Sequence, residues 1–108
     1  MQTYKILGQS APLATTSTDA YTVPAATSAV VSTVTVCNQS ATATTFRLSC
    51  SVAGAVLAAK QYLCYDAPIL GNETKALTIG ATLAATDVVR VYNTLATVSF
   101  NIFGVENT

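Results

Sequence analysis

Apolar and polar residues alternate with period two along most of the chain. Phe46, Leu48, Cys50 and Val52 alternate with Thr45, Arg47, Ser49 and Ser51, the pattern of a strand with one face in a core and Arg47 on the wet face. Val98, Phe100 and Ile102 alternate with Thr97, Ser99 and Asn101 in the same way. Ser32, Val34 and Val36 alternate with Thr33, Thr35 and Cys37 in a run from Ala29 to Cys37 rich in β-branched residues. Val89 and Val91 alternate with Arg90 and Tyr92, and Leu77 and Ile79 flank Thr78. In Tyr62–Tyr65, either Tyr62 and Cys64 or Leu63 and Tyr65 can face inward. Shorter extended pieces are Tyr4–Leu7 and Tyr21–Pro24, where Pro24 ends the strand or marks an edge.

Turn-like stretches separate these runs: 8–19, 24–28, 38–42, 53–60, 66–74 and 80–87. Seven to eight short strands at a spacing of roughly ten residues predict an all-β sandwich or barrel. Ala53–Lys60 is too short and too poorly capped for more than a single helical turn. Residues 54–61 and 80–87 echo each other, each preceding a strand. They read as one type of corner, with Leu57 and Leu83 plugging the ends of the core. Asp87 is placed to accept backbone N–H bonds within its corner. The predicted core is Val34, Val36, Phe46, Leu48, Cys50, Leu77, Ile79, Val89, Val91, Val98, Phe100 and Ile102.

The length, 108 residues, fits one domain spanning 1–108, with residues 1–20 either an edge strand or an assembly arm. Ala and Thr make up about a third of the chain, only 9% is charged, and formal net charge is zero. Scattered cations give no electrostatic footprint for nucleic acid or an anionic membrane. No apolar run approaches a membrane span, and the opening residues do not form a signal-peptide h-region, so the expectation is a protein made in a cytoplasm. A neutral surface of Thr, Ser, Asn and Ala suits a subunit packed against copies of itself or other proteins.

The chain has no His, so the usual proton acceptor for a Ser or Cys nucleophile and the commonest metal ligand are both missing. Lys5, Lys60 and Lys75 sit in polar contexts and read as solvated. Asp19, Asp66, Glu73, Asp87 and Glu106 each fall in a turn or tail and read as solvated acids without a pairing pattern. Cys37, Cys50 and Cys64 are odd in number and widely spaced, which predicts free, mostly buried thiols rather than a disulfide framework or zinc site. The triplets starting at Asn38 and Asn72 match the glycosylation pattern by chance in a Thr-rich chain. No cofactor or metal is expected.

Binding surfaces are the remaining candidates. Tyr4, Tyr21, Tyr62, Tyr65 and Tyr92 read as rim-of-core tyrosines whose hydroxyls reach water. Tyr62, Tyr65 and Tyr92 flank the two corners and are candidates for surface recognition. Phe103 lies on the opposite strand face from Phe100 and Ile102, to be covered by a neighbour or by Tyr4–Leu7. Tyr4, Ile6, Leu7, Phe103 and Val105 are therefore the candidate assembly contacts.

Several segments carry a resemblance: Tyr4–Gln9, Tyr21–Pro24, Val31–Asn38, Ala43–Arg47, Leu83–Tyr92 and Val98–Gly104. Together they resemble a family of small virion proteins of tailed bacteriophages, especially those of cyanobacteria and other aquatic bacteria. The resemblance implies an antiparallel, jelly-roll-like β-sandwich without enzymatic activity. It implies a capsid decoration (cement) subunit of the virion, acting as a homo-oligomer, most simply a trimer, with other virion proteins such as the major capsid protein as partners. The alternative within the family is a neck, tail or baseplate accessory protein, including a receptor-binding fibre module. Only in that case is a host surface glycan a partner. The three cysteines depart from the pattern and leave a covalent link in the particle open.

Overall fold

The computed structural model describes residues 1–108. Eight strands form: β1 (Gln2–Ser10), β2 (Thr18–Thr22), β3 (Ser28–Asn38), β4 (Thr44–Ser51), β5 (Tyr62–Ile69), β6 (Thr74–Leu83), β7 (Val88–Asn93) and β8 (Val98–Asn107). They make two four-stranded antiparallel sheets, ordered β1-β8-β3-β6 and β2-β7-β4-β5. β1 pairs with β8, β2 with β7, β3 with β6 and β4 with β5. The chain is thus one long hairpin folded over on itself, its successive rungs alternating between sheets, which is the strand order of a jelly roll. Alternation alone left sandwich and barrel open; the two separate sheets decide for the sandwich.

Residues 1–20 supply an edge strand of the first sheet and the start of β2. The backbones of Met1 and Thr108 hydrogen-bond each other where β1 and β8 end.

The two inner faces meet in one core. Phe46 of β4 and Phe100 of β8 pack edge to face across it, ring centroids 6.0 Å apart. Val34, Val36, Leu48, Val89, Val91, Val98 and Ile102 are buried around them as expected. Cys50, Leu77 and Ile79, also expected in the core, are half-buried: two lie on edge strand β6 and one near the end of β4. Val23, Val31 and Ile69 complete the core. Of the matching corner leucines, only Leu83 plugs the core; Leu57 is half-buried and does not join it.

Bulges account for the other departures from simple alternation. In β3 the phase slips at Ser32, which is exposed while Val31 is buried and Val30 points out. In β1 the register slips between Ile6 and Gly8, and Leu7 faces the core as alternation beside the exposed Ile6 requires. Leu7 is therefore no assembly contact, although Tyr4 and Ile6 remain outside.

The stretch 53–60 holds no α-helix; single 3₁₀ turns form at Val52–Gly54 and Ala59–Gln61. Asp87 ties both corners together. Its carboxylate accepts the backbone N–H of Ala84 in its own corner and of Ala53 in the other, each at 2.8 Å. No helix is long and apolar enough to cross a membrane.

Candidate functional site

Three side-chain constellations stand out. The first lies on the outer face of the second sheet. Between Phe46↔Ala67 and Leu48↔Cys64, two residues of β5, Tyr65 and Asp66, oppose the single residue Arg47 of β4. The bulge is made by Asp66, whose φ of 49° is left-handed, a conformation Asp tolerates better than most residues. As a result both a ring and a carboxylate of β5 reach Arg47. Asp66 Oδ1 and Oδ2 accept from Arg47 Nε at 2.6 Å and Nη2 at 3.3 Å.

The Arg47 guanidinium carbon sits 4.3 Å from the Tyr65 ring centroid and 4.2 Å from that of Tyr92, its cross-strand neighbour on β7. Since β4 runs between β7 and β5, the guanidinium is flanked by a tyrosine on each side. The Asp66 hydrogen bond, helped by the carboxylate charge and the two rings, holds Arg47 even more firmly protonated than usual. Tyr62 extends the row, its ring edge to face with Tyr65 at 4.9 Å.

All three candidate recognition tyrosines thus join one stripe, Tyr62–Tyr65–Arg47–Tyr92. Of the two inward choices for β5, Cys64 faces the core, while Leu63 and Tyr65 are exposed. The hydroxyls of Tyr62, Tyr65 and Tyr92 have no hydrogen-bond partner in the protein, as expected. Arg47 and Asp66 give only weak signals in the sequence, a lone cation on the wet face of a strand and a lone acid within the otherwise apolar Tyr62–Ile69 run.

The second constellation is apolar and lies on part of the outer face of the first sheet, on β1, β8 and β3. Tyr4 pairs with Val105 and Ile6 with Phe103 across β1 and β8. Val30 of β3 pairs with Val105 from the other side. The four remaining assembly candidates therefore form one contiguous patch with Val30, which joins it only because of the Ser32 bulge. Tyr4 is 78% exposed and Ile6 51%; Phe103 and Val105 are half-buried by these neighbours.

The third constellation is buried. Glu106, near the end of β8, points between the sheets, where Tyr21 of β2 donates its hydroxyl at 2.6 Å. Lys5 Nζ lies 3.0 Å from the other carboxylate oxygen. The reading of Glu106 as a solvated tail acid is therefore corrected: the alternation Phe100, Ile102, Gly104, Glu106 carries it inward. Tyr21 and Lys5 likewise end on this carboxylate rather than in water. Their hydrogen bonds, Tyr21 first, hold the Glu106 carboxyl below the usual range. Burial and the same contact push the Tyr21 phenol well above its ordinary value.

Asp19 is also paired, directly across β2 and β7 with Arg90 at 2.8 Å. Arg90 spends its other donors on Ser51 Oγ and the carbonyls of Gly54 and Ala55, fastening the 52–55 corner to the sheet. Asn38 is 1% exposed, and all its side-chain bonds stay within the turns at its strand end.

The three cysteines are free and half-buried, less enclosed than expected. Burial pushes the Cys50 and Cys64 thiols up, with Asp87 adding to the effect on Cys50 and Lys75 opposing it on Cys64; both stay protonated at neutral pH. No group of three or more Cys, Asp or Glu side chains converges as a metal site would require. The arrangement offers two exposed surfaces, a tyrosine–arginine stripe on the second sheet and an apolar patch on the first. In comparisons with family models, curated proteins and solved structures, the chain matches none.

Proposed function

We propose that this chain is a non-enzymatic structural subunit of a bacteriophage virion, a capsid decoration (cement) protein. It works as a homo-oligomer, a trimer, seated on the major capsid protein. The observation that carries this reading is the uncharged apolar patch of Tyr4, Ile6, Val30, Phe103 and Val105 on the open face of β1-β8-β3-β6. A four-stranded face with strands of about ten residues presents roughly 600 Å² of flat area. A stable interface takes roughly 800 Å² from each partner, so assembly through this patch recruits the polar positions of the face and its edge as well. Zero net charge removes long-range repulsion between copies. Jelly rolls recur in viral capsid proteins, which supports the virion setting by analogy of fold, beside the resemblance of the sequence.

Sedimentation equilibrium tests the oligomer. The native chain is expected to self-associate, and Ile6→Glu, which places a charge in the patch at an exposed position, is expected to leave a folded monomer. A native chain that is monomeric at all concentrations overturns the homo-oligomer. Quantitative mass spectrometry of particles of the encoding virus tests the location. Decoration predicts a copy number comparable to that of the major capsid protein. A handful of copies points to neck, tail or baseplate instead, and absence from the particle defeats the virion reading.

A further inference from the structure

We infer that the free edge of the second sheet joins two copies of this chain about a two-fold axis. Each copy seats its Leu70 in a groove that the other forms between its 57–59 corner and β5. The inference concerns the second sheet and does not depend on how the first sheet assembles.

β5 ends the order β2-β7-β4-β5 and has no strand on its outer side. Cys64, Ala67 and Ile69 pack against the core. Leu63, Tyr65 and Leu70 remain 49%, 59% and 63% exposed, and Pro68 is exposed between them. These four positions fall in matched pairs about the midpoint between Asp66 and Ala67. An antiparallel second copy therefore sets Leu63 against Leu70 and Tyr65 against Pro68, twice each, as a two-fold contact requires. At the axis Asp66 is already neutralised by Arg47, so two copies meet there without bare like charges.

The groove supplies the seat. It is open, has a volume of about 420 Å³, and is lined by Leu57, Ala58, Ala59, Tyr62 and Tyr65, none of them charged. Leu70 is presented on a rigid turn. Its N–H donates to Glu73 Oε1 at 2.8 Å, and the Glu73 N–H donates to the Leu70 carbonyl at 3.2 Å. Gly71 packs against the Ala41 carbonyl with no room for a Cβ. The groove is out of reach of its own Leu70, which lies at the far end of β5, about 26 Å along the strand.

Charge fits the same register. Lys5, Arg47 and Arg90 are paired within the chain, but Lys60 and Glu73 have no ion-pair partner. Lys60 follows Ala59 at the groove, and Glu73 closes the turn that carries Leu70. Lys60 and Glu73 share the midpoint of the other two pairs, so seating Leu70 also brings each Lys60 to the Glu73 of the other copy. A foreign strand is a poorer occupant, because two register shifts and Pro68 interrupt the backbone groups of β5. An edge about 26 Å long and about 10 Å wide gives roughly 250 Å² per copy besides the groove. That is far below the roughly 800 Å² of a stable interface. The pair is therefore weak between free chains and forms where copies are already held at high local concentration.

The test combines sedimentation equilibrium with concentration-dependent amide shifts, in low-salt buffer, on the full chain carrying Ile6→Glu to remove association through the first sheet. A monomer–dimer equilibrium with Kd of about 0.1–1 mM is expected, its shifts centred on residues 57–73. Leu70→Glu, at an exposed position, is expected to weaken the dimer about tenfold or more. Lys60→Glu opposes Glu73 with a like charge and is expected to weaken it about threefold or more. Adding Glu73→Gln, which keeps an acceptor for the Leu70 N–H, is expected to restore most of that loss. Tyr4→Ala, on the other sheet, leaves the dimer unchanged. A chain that stays monomeric at about 1 mM overturns the proposal. So do growth beyond a dimer, shifts centred elsewhere, and a dimer indifferent to Leu70→Glu. No loss with Lys60→Glu, or a loss that Glu73→Gln does not relieve, overturns the two-fold register.

Discussion

Phe100→Ala is expected to lower the free energy of unfolding by about 3–5 kcal/mol, whereas Phe103→Ala, three residues along the same strand, costs less than half as much. Phe100 has no exposed surface and stands on β8, between β1 and β3, facing Phe46 of the other sheet. Truncation removes the transfer energy of the ring and leaves a cavity walled by residues of both sheets. Rigid, paired strands collapse into it poorly, and the edge-to-face contact, worth about 0.5–1.5 kcal/mol beyond burial, goes as well. Phe103 points the other way, partly covered by Ile6 and otherwise open. Its truncation creates no enclosed void. A domain of this size has about 5–15 kcal/mol in total, so Phe100→Ala removes a large share of it. Urea unfolding of both variants checks the contrast. Equal losses would show that the two faces of β8 are not inside and outside as assigned.

Much of this architecture is legible in the residues themselves. Alternation in 45–52, 89–92 and 97–102 places Phe46, Leu48, Val89, Val91, Phe100 and Ile102 inside, because a strand's side chains must alternate and a sandwich has one dry face per sheet. What stayed hidden comes from bulges. Whether a strand takes up an extra residue depends on its partner's register, a long-range property that local periodicity does not carry. Leu7 needs no slip to be core, because alternation beside the outward Ile6 already turns it in. The slip at Ser32 sends Val30 outward to join the apolar patch. The bulge at Tyr65 and Asp66 builds the stack on Arg47 from an acid that reads locally as part of a turn. Tyr62, Tyr65 and Tyr92 were identifiable as recognition candidates, but not their organising cation. Glu106 shows the opposite failing. Its inward phase is visible in the alternation of β8, yet proximity to the chain end argues for solvent until Tyr21 and Lys5 are seen to enclose it.

That enclosed carboxylate leads to the second large effect, a stability that depends on pH at both ends. The folded-state pKa of Glu106 is lowered, so the unfolded chain binds its proton more readily than the folded one. The stabilisation is therefore complete above the ordinary Glu value of about 4.3 and is lost as pH falls through the lower folded value. Tyr21 has the reverse sign. Its folded pKa is raised, so its contribution is complete below the ordinary value of about 10 and is lost as pH climbs through the higher folded value. Tyr21→Phe at pH 7 removes a hydroxyl bonded to a charged, nearly buried group, which costs about 1.5–3 kcal/mol. Below the folded pKa of Glu106 the carboxyl is neutral, and the same substitution costs only the about 0.5–1.5 kcal/mol of an uncharged hydrogen bond. Lys5→Met should matter less at pH 7, about 1 kcal/mol at most, because the Lys5 side chain is 45% exposed and screened by solvent. Urea unfolding of the three chains from pH 3 to pH 9 measures these differences. A Tyr21→Phe penalty that is the same at pH 3 and pH 7 would show that the hydroxyl does not meet a charged Glu106. If the penalty instead shrinks only on the acid side, the two sheets are joined at this end by an ion pair with a phenol as its third member. Glu106 would then be retained inside an apolar sandwich because β2 and β1 each bring it a donor.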